Sequence, residues 1–109
     1  MLNMIKPLSL LLIILLLPEI SLSDQKQVTV EIVKFAFTPQ EITIKPGTTV
    51  RWINKEKRQY HSVWFEQLGE PEPDYLFPDD TYERKFEKTG RFPYRCGPHP
   101  KMTGVVHVK

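Results

Sequence analysis

From Val28 onward, apolar residues return at every second position in short runs, and no stretch carries the three-and-four spacing of a helix. Val28, Val30 and Ile32 alternate with Thr29, Glu31 and Val33; Phe35 and Phe37 follow, and after Pro39 the pattern resumes at Ile42 and Ile44. Pro46-Gly47 then marks a turn, because Pro presets the second turn position and Gly accepts positive φ at the third. Val50 and Trp52 predict a strand that ends at Asn54, and Val63 and Phe65 predict a short one. From Glu66 to Asp80 an acidic, proline-broken stretch has no regular pattern. Tyr82, Arg84 and Phe86 open another strand, Lys88-Thr89-Gly90 turns it, and Phe92, Tyr94 and Cys96 share one face of the next. Gly104 begins the last, with Val106 and Val108 inward. Seven or eight short strands with turns at this spacing predict an all-β fold, a Greek-key β-sandwich.

The start of the chain is set apart. Lys6 supplies a positive flank, Leu8 to Leu17 is apolar except for Ser9, and Pro18 leads to Ser21-Leu22-Ser23 before Asp24. This reads as a secretory signal over residues 1–23, cleaved near Ser23. A spanning helix needs about 20 apolar residues, and this run is roughly half that. The expected mature protein, residues 24–109, is therefore exported to the periplasm and has no stable membrane insertion. It is one small domain, of a size that buries only about 60% of its unfolded surface. Its single cysteine forbids an internal disulfide, so a bound metal is the available staple. A formal net charge of +2 is too weak a bias to argue for nucleic acid.

Chemistry concentrates in Cys96-Gly97-Pro98-His99-Pro100-Lys101-Met102. With His61 upstream, this run offers a thiolate, two imidazoles and a thioether, the donors of a mononuclear blue-copper centre. Taken singly, each residue has an ordinary explanation: Cys96 as a small buried hydrophobe, Met102 as a gap filler, His61 as a polar loop residue. Their joint spacing favours ligation, since a cysteine at a strand end, a proline-stiffened turn and a methionine before the last strand close on one point. Parity puts Cys96 inward with Phe92 and Tyr94 while Arg91 and Arg95 point out. Pro93 lacks an N–H, which suits an edge strand. His107 falls on the outward face with Val105 and reads as a surface histidine. Trp52 and Trp64 read as core or half-buried packing residues.

From about Val28 to Val108 the chain resembles the cupredoxins. The run Cys96-x-x-His99-x-x-Met102, with proline on both sides of the histidine, is similar to the amicyanin group, and less so to pseudoazurin and plastocyanin. His61-Ser62-Val63 matches the upstream His-x-Val element, and Gly90-Arg91-Phe92-Pro93-Tyr94-Arg95-Cys96 follows the family's lead-in to its cysteine. The resemblance implies one type 1 copper held by His61, Cys96, His99 and Met102, and electron transfer through a surface-exposed His99 framed by Pro98 and Pro100. It also implies a monomeric carrier serving redox proteins such as a c-type cytochrome or a periplasmic dehydrogenase. Four protein donors leave no position for a substrate, so an enzyme is not expected. A periplasmic copper carrier delivering metal to another cuproprotein is the alternative. Ser62 and Gly97 stand where amicyanin-like proteins carry Asn and Thr, which predicts a weaker or differently built tether between the ligand loops. Lys101 replaces an apolar residue of the docking patch. The seven acids between Glu66 and Glu83, and Lys55, Lys57 and Arg58 before His61, are either solvated loops or docking patches.

Overall fold

The computed structural model describes residues 26–109, so the expected signal segment, residues 1–23, lies outside the described residues. Seven strands form two sheets: β1 (Gln27–Val33), β2 (Ala36–Thr38), β3 (Glu41–Ile44), β4 (Thr48–Asn54), β5 (Thr81–Phe86), β6 (Gly90–Arg95) and β7 (Thr103–Val108). One sheet has the order β2-β1-β4-β5, the other β3-β7-β6. Two pairings are parallel, β1 with β4 and β3 with β7, so the chain passes repeatedly from one sheet to the other. The all-β sandwich expected from the alternation is what forms, and no helix among the described residues is long and apolar enough to cross a membrane.

The inward rows are those that parity assigns. Val30, Ile32, Val50, Trp52 and Val106 are fully buried, and Phe86, Tyr94, Cys96 and Val108 join them. Trp52 is the hub, with the rings of Tyr94 and Tyr82 at 5.3 and 5.6 Å and that of Phe65 at 6.1 Å. The Pro46-Gly47 turn is present: the Thr48 N–H donates to Lys45 O at 3.2 Å, and Gly47 has φ of +94°. Pro93 lies on β6, an edge strand, where its missing donor costs no ladder bond.

One expected strand does not form. Val63 and Phe65 are buried as their alternation predicts, but no ladder includes them. His61 bridges to Leu76 and Trp64 bridges to Arg95, so the segment is shared between two different neighbours and continues along neither. A single 3-10 turn, Glu66–Leu68, follows. Phe35 also departs from its row. Lys34 and Phe35, at φ of +55° and +57°, form the two-residue loop between β1 and β2, the geometry of a type I′ hairpin without its usual Asn-Gly.

Two arginines fasten the loop that follows Phe65. Arg84 stacks over the Phe65 ring at 4.5 Å and donates to both carboxylate oxygens of Glu70, at 2.8 and 2.6 Å. These bonds hold the Glu70 carboxyl below its usual range, with burial opposing them. A lowered folded value contributes stability above the unfolded value and loses it as pH falls through the folded one. Glu70→Gln is therefore expected to melt below the wild type at neutral pH, with the gap closing as pH falls below the usual carboxylate range. Thermal melts across that range check it.

Gly104 leaves room for a ring. It pairs with Tyr94 across the β6–β7 ladder, and a Cβ there would collide with Tyr94 Cζ and Oη. Gly104→Ala is expected to cost about 1–3 kcal/mol, the usual penalty for overpacking, read as a lower urea midpoint with an unchanged slope.

Candidate metal centre

The loop between β6 and β7 places three of the four expected residues. Cys96 ends the inward row of β6, and its N–H donates to Met102 O at 2.9 Å. The Met102 N–H in turn donates to His99 O at 2.9 Å, which closes the turn. Met102 is buried with the core, as is Cys96, whereas His99 is only half-buried. His61 arrives from the other side. Its main chain exchanges both hydrogen bonds with Leu76, at 3.0 and 2.6 Å, and its side chain is fully buried.

Three donor atoms converge. Cys96 Sγ lies 3.6 Å from His61 Nδ1 and 3.5 Å from His99 Nδ1, and the two nitrogens are 3.2 Å apart. Bonds of roughly 2.0–2.3 Å to one ion, about 120° apart, would separate their donors by about 3.5 Å. The triangle therefore has the size a trigonal metal requires. Each of the three atoms, once deprotonated, turns a lone pair toward the others, so the fit to a cation is chemical as well as metric.

Hydrogen bonds aim these donors. His61 Nε2 is 2.9 Å from Glu56 Oε2, and a carboxylate only accepts, so Nε2 carries the proton and Nδ1 keeps its lone pair. Glu56 Oε2 also accepts the Phe35 N–H at 2.9 Å, while the Glu56 N–H donates to Asn54 Oδ1. Buried Asn54 spends its amide on Gln59 O and Leu76 O, at 2.9 and 2.8 Å. Burial pushes the Glu56 carboxyl upward, but the N–H of Phe35 and His61 outweigh it and the net shift is down. His61 is driven down by burial, against the pull of Glu56, which favours the neutral ring a metal needs. The Cys96 thiol is raised by burial, opposed by the N–H of Ser62 at 3.3 Å and by the charge of Arg95.

A tether links the two ligand loops. With no side chain at Gly97, the Gly97 N–H donates to Ser62 Oγ at 2.8 Å, and the Ser62 N–H points at the sulfur. A Cβ at Gly97 would meet Glu72 Oε2 and approach Ser62 Oγ at 2.9 Å, so a larger residue there would have to displace these two side-chain tips. His107 stays outside the cluster and pairs with Glu41 at 2.9 Å. Two residues that sequence reasoning passed over belong to the site. Glu56 orients His61, and Phe35 sets its ring edge-on against His61 and His99, with centroids at 5.3 and 5.0 Å. No local pattern announces either.

A family model for the cupredoxin-like domain matches residues 7–108. The chain belongs to the cupredoxin-like family. Amicyanin-alpha from Methylorubrum extorquens is 38% identical over 84 residues, 73% of this chain and 70% of the relative. Amicyanin from Paracoccus versutus is 37% identical over 86 residues, 75% of this chain but 64% of its own length. The chain thus spans about two thirds of the length of these amicyanins. A solved structure of amicyanin from Paracoccus versutus superposes with a TM-score of 0.67 at 31% identity, covering 79% of this chain and 82% of that one. A thiolate, two converging imidazoles and a buried thioether in the same loop are donors that fit one type 1 copper.

Removing the group that aims His61 tests the arrangement. Glu56→Ala should lower copper affinity by about 10- to 100-fold, the usual cost of losing such a support, measured by competition with a chelator of known affinity.

Proposed function

We propose that this cupredoxin carries single electrons between redox proteins, with His61, Cys96, His99 and Met102 as its copper ligands. The observation that carries the reading is the contrast between its two histidines: His61 is fully buried and His99 is half-buried. Copper supplies a one-electron couple to the site. Cys96, His61 and Met102 would hold it from within, and their packed surroundings would limit rearrangement when the charge changes. His99 forms the way out.

The surface around His99 suits brief contact. Phe35, Pro98, Pro100, Lys101 and Met102 line a shallow, largely apolar depression beside its ring. Phe35 is 47% exposed, and Tyr60 and Phe77 add exposed aromatic surface nearby. Lys101, at the rim, gives the patch a positive edge that favours a partner with an acidic margin. A c-type cytochrome or a periplasmic dehydrogenase meets this description, with the mature chain acting as a monomer in the periplasm. Copper delivery is the weaker reading, because release has to break a set whose thiol and inner imidazole have no exposed surface.

The decisive experiment is spectroscopic. The mature chain is expected to bind one equivalent of Cu(II) and absorb intensely in the visible through its thiolate. Cys96→Ser should lose that band while keeping the far-ultraviolet circular dichroism of a β-sandwich. A serine variant with the same band would exclude Cys96 as the thiolate ligand. Failure of the copper-loaded wild type to cycle reversibly between its two oxidation states, by voltammetry and with small inorganic redox reagents, would exclude the carrier role.

A further inference from the structure

We propose that Arg95 is a positioning residue for the copper centre, clamping the first peptide groups of the ligand loop and thereby setting the loop's rigidity and the site's reduction potential. The inference rests on the copper reading above. Parity sends the Arg95 side chain away from the core, yet it is only 23% exposed. It curls past the end of β6. Arg95 Nη1 donates to Cys96 O at 3.1 Å and to Gly97 O at 3.2 Å.

The guanidinium is itself fixed on its other sides. Nε and Nη2 donate to the two oxygens of Glu66, at 2.9 and 3.4 Å, and the plane stacks over the Trp64 ring at 4.4 Å. Two main-chain hydrogen bonds, at 2.8 and 3.0 Å, lock Trp64 to Arg95 beneath that stack. The clamp is therefore rigid before it touches the loop. What it holds is the most pliant residue of the loop, because Gly97 lacks the Cβ that restricts other residues. Its N–H goes to Ser62 Oγ and its C=O to Arg95, so both ends of Gly97 are tied, from opposite sides. Pro98 follows and can offer no N–H of its own. Without Arg95 the carbonyls of Cys96 and Gly97 have no partner among the described residues.

Charge acts in the same place. One-electron reduction makes the centre one unit more negative, so the guanidinium favours the reduced form and Glu66 opposes it. Lysine keeps the charge but has no planar fork to join two carbonyls, a carboxylate and an indole face at once. The two contributions can therefore be separated.

Three variants test the clamp: Arg95→Lys, Arg95→Gln and Glu66→Gln. Amide exchange by NMR is followed in the metal-free and the reduced copper-loaded protein, with midpoint potentials by voltammetry. Arg95→Lys should speed exchange at the Gly97 amide by about tenfold, comparable to the loss of one charge-assisted hydrogen bond, while amides of β1 and β4 keep their rates. Arg95→Gln should do the same and also lower the midpoint, and Glu66→Gln should raise it. Unchanged exchange at Gly97 in both arginine variants would overturn the proposal. So would equal acceleration at Gly97 and in β1 and β4, which would make Arg95 a global stabiliser only. Midpoint shifts of the same sign in Arg95→Gln and Glu66→Gln would overturn the electrostatic half. Exchange in the metal-free protein does not depend on copper, so failure of the clamp and failure of the electron-carrier reading are told apart.

Discussion

The register of β6 against β7 is the constraint on which the metal centre depends. Tyr94 pairs with Gly104 and Arg95 with Thr103, so residues 96–102 are the connection of a hairpin. The hydrogen bond from Cys96 N–H to Met102 O continues the pairing by one step. In an antiparallel pair, residues opposite each other share a face. Phe92 with Val106, Tyr94 with Gly104, and Cys96 with Met102 all lie on the inner face for that one reason. A slip of one residue would set Cys96 opposite Lys101 or Thr103, so that the thiol and the thioether could no longer both face inward. The fit of the Tyr94 ring over Gly104 is part of what fixes the register, and packing in the sandwich thus reaches the ligand set.

The fourth donor comes from the other sheet and needs a different device. His61 follows β4, whose inner row ends at the buried amide of Asn54. Asn54 uses its side chain on Glu56, Gln59 and Leu76, organising the loop from 55 to 60 and the segment that pairs with His61. Glu56 then fixes the tautomer of His61. A buried polar chain of this kind is costly if any member goes unpaired, and here each one is satisfied. The Phe35 N–H also donates to the Glu56 carboxylate, which anchors the strained Lys34-Phe35 turn and sets the Phe35 ring beside both histidines.

What the sequence reveals follows from how local each cause is. Strand parity is a local property, and it places Val30, Trp52, Tyr94, Cys96 and Val106 inward as observed. The ligand loop is equally local, which is why Cys96, His99 and Met102 are legible together. Val63 and Phe65 mislead because alternation reports burial and not pairing: both are buried, while their neighbours bond to two separate segments. Glu56 and Phe35 meet across 21 positions, and no spacing rule covers such a contact. Arg95 reads as an outward residue, correctly, but parity cannot say that a long side chain returns to the strand end.

The same geometry changes the meaning of the acidic stretch. Read as a sequence, the seven acids from Glu66 to Glu83 are one patch, either solvated or poised for docking. In the fold they divide by partner. Glu66 holds Arg95, Glu70 holds Arg84, Asp80 accepts the Phe77 N–H, and Glu83 approaches Arg51 at 4.0 Å. An isolated exposed ion pair contributes little, but Glu66 and Glu70 each pair with an arginine that also stacks on an aromatic ring. Their charge is largely spent within the molecule, fixing the loop that carries Trp64 and Phe65. Glu72 stands over Gly97 at the margin of the ligand loop and also bears on Tyr75 and Arg95. With Lys101 lining the depression beside His99 and Glu72 over Gly97, the margin of the ligand loop carries both signs of charge. A mixed rim favours one orientation of an encountering partner over raw affinity, which is what a carrier that must also let go requires.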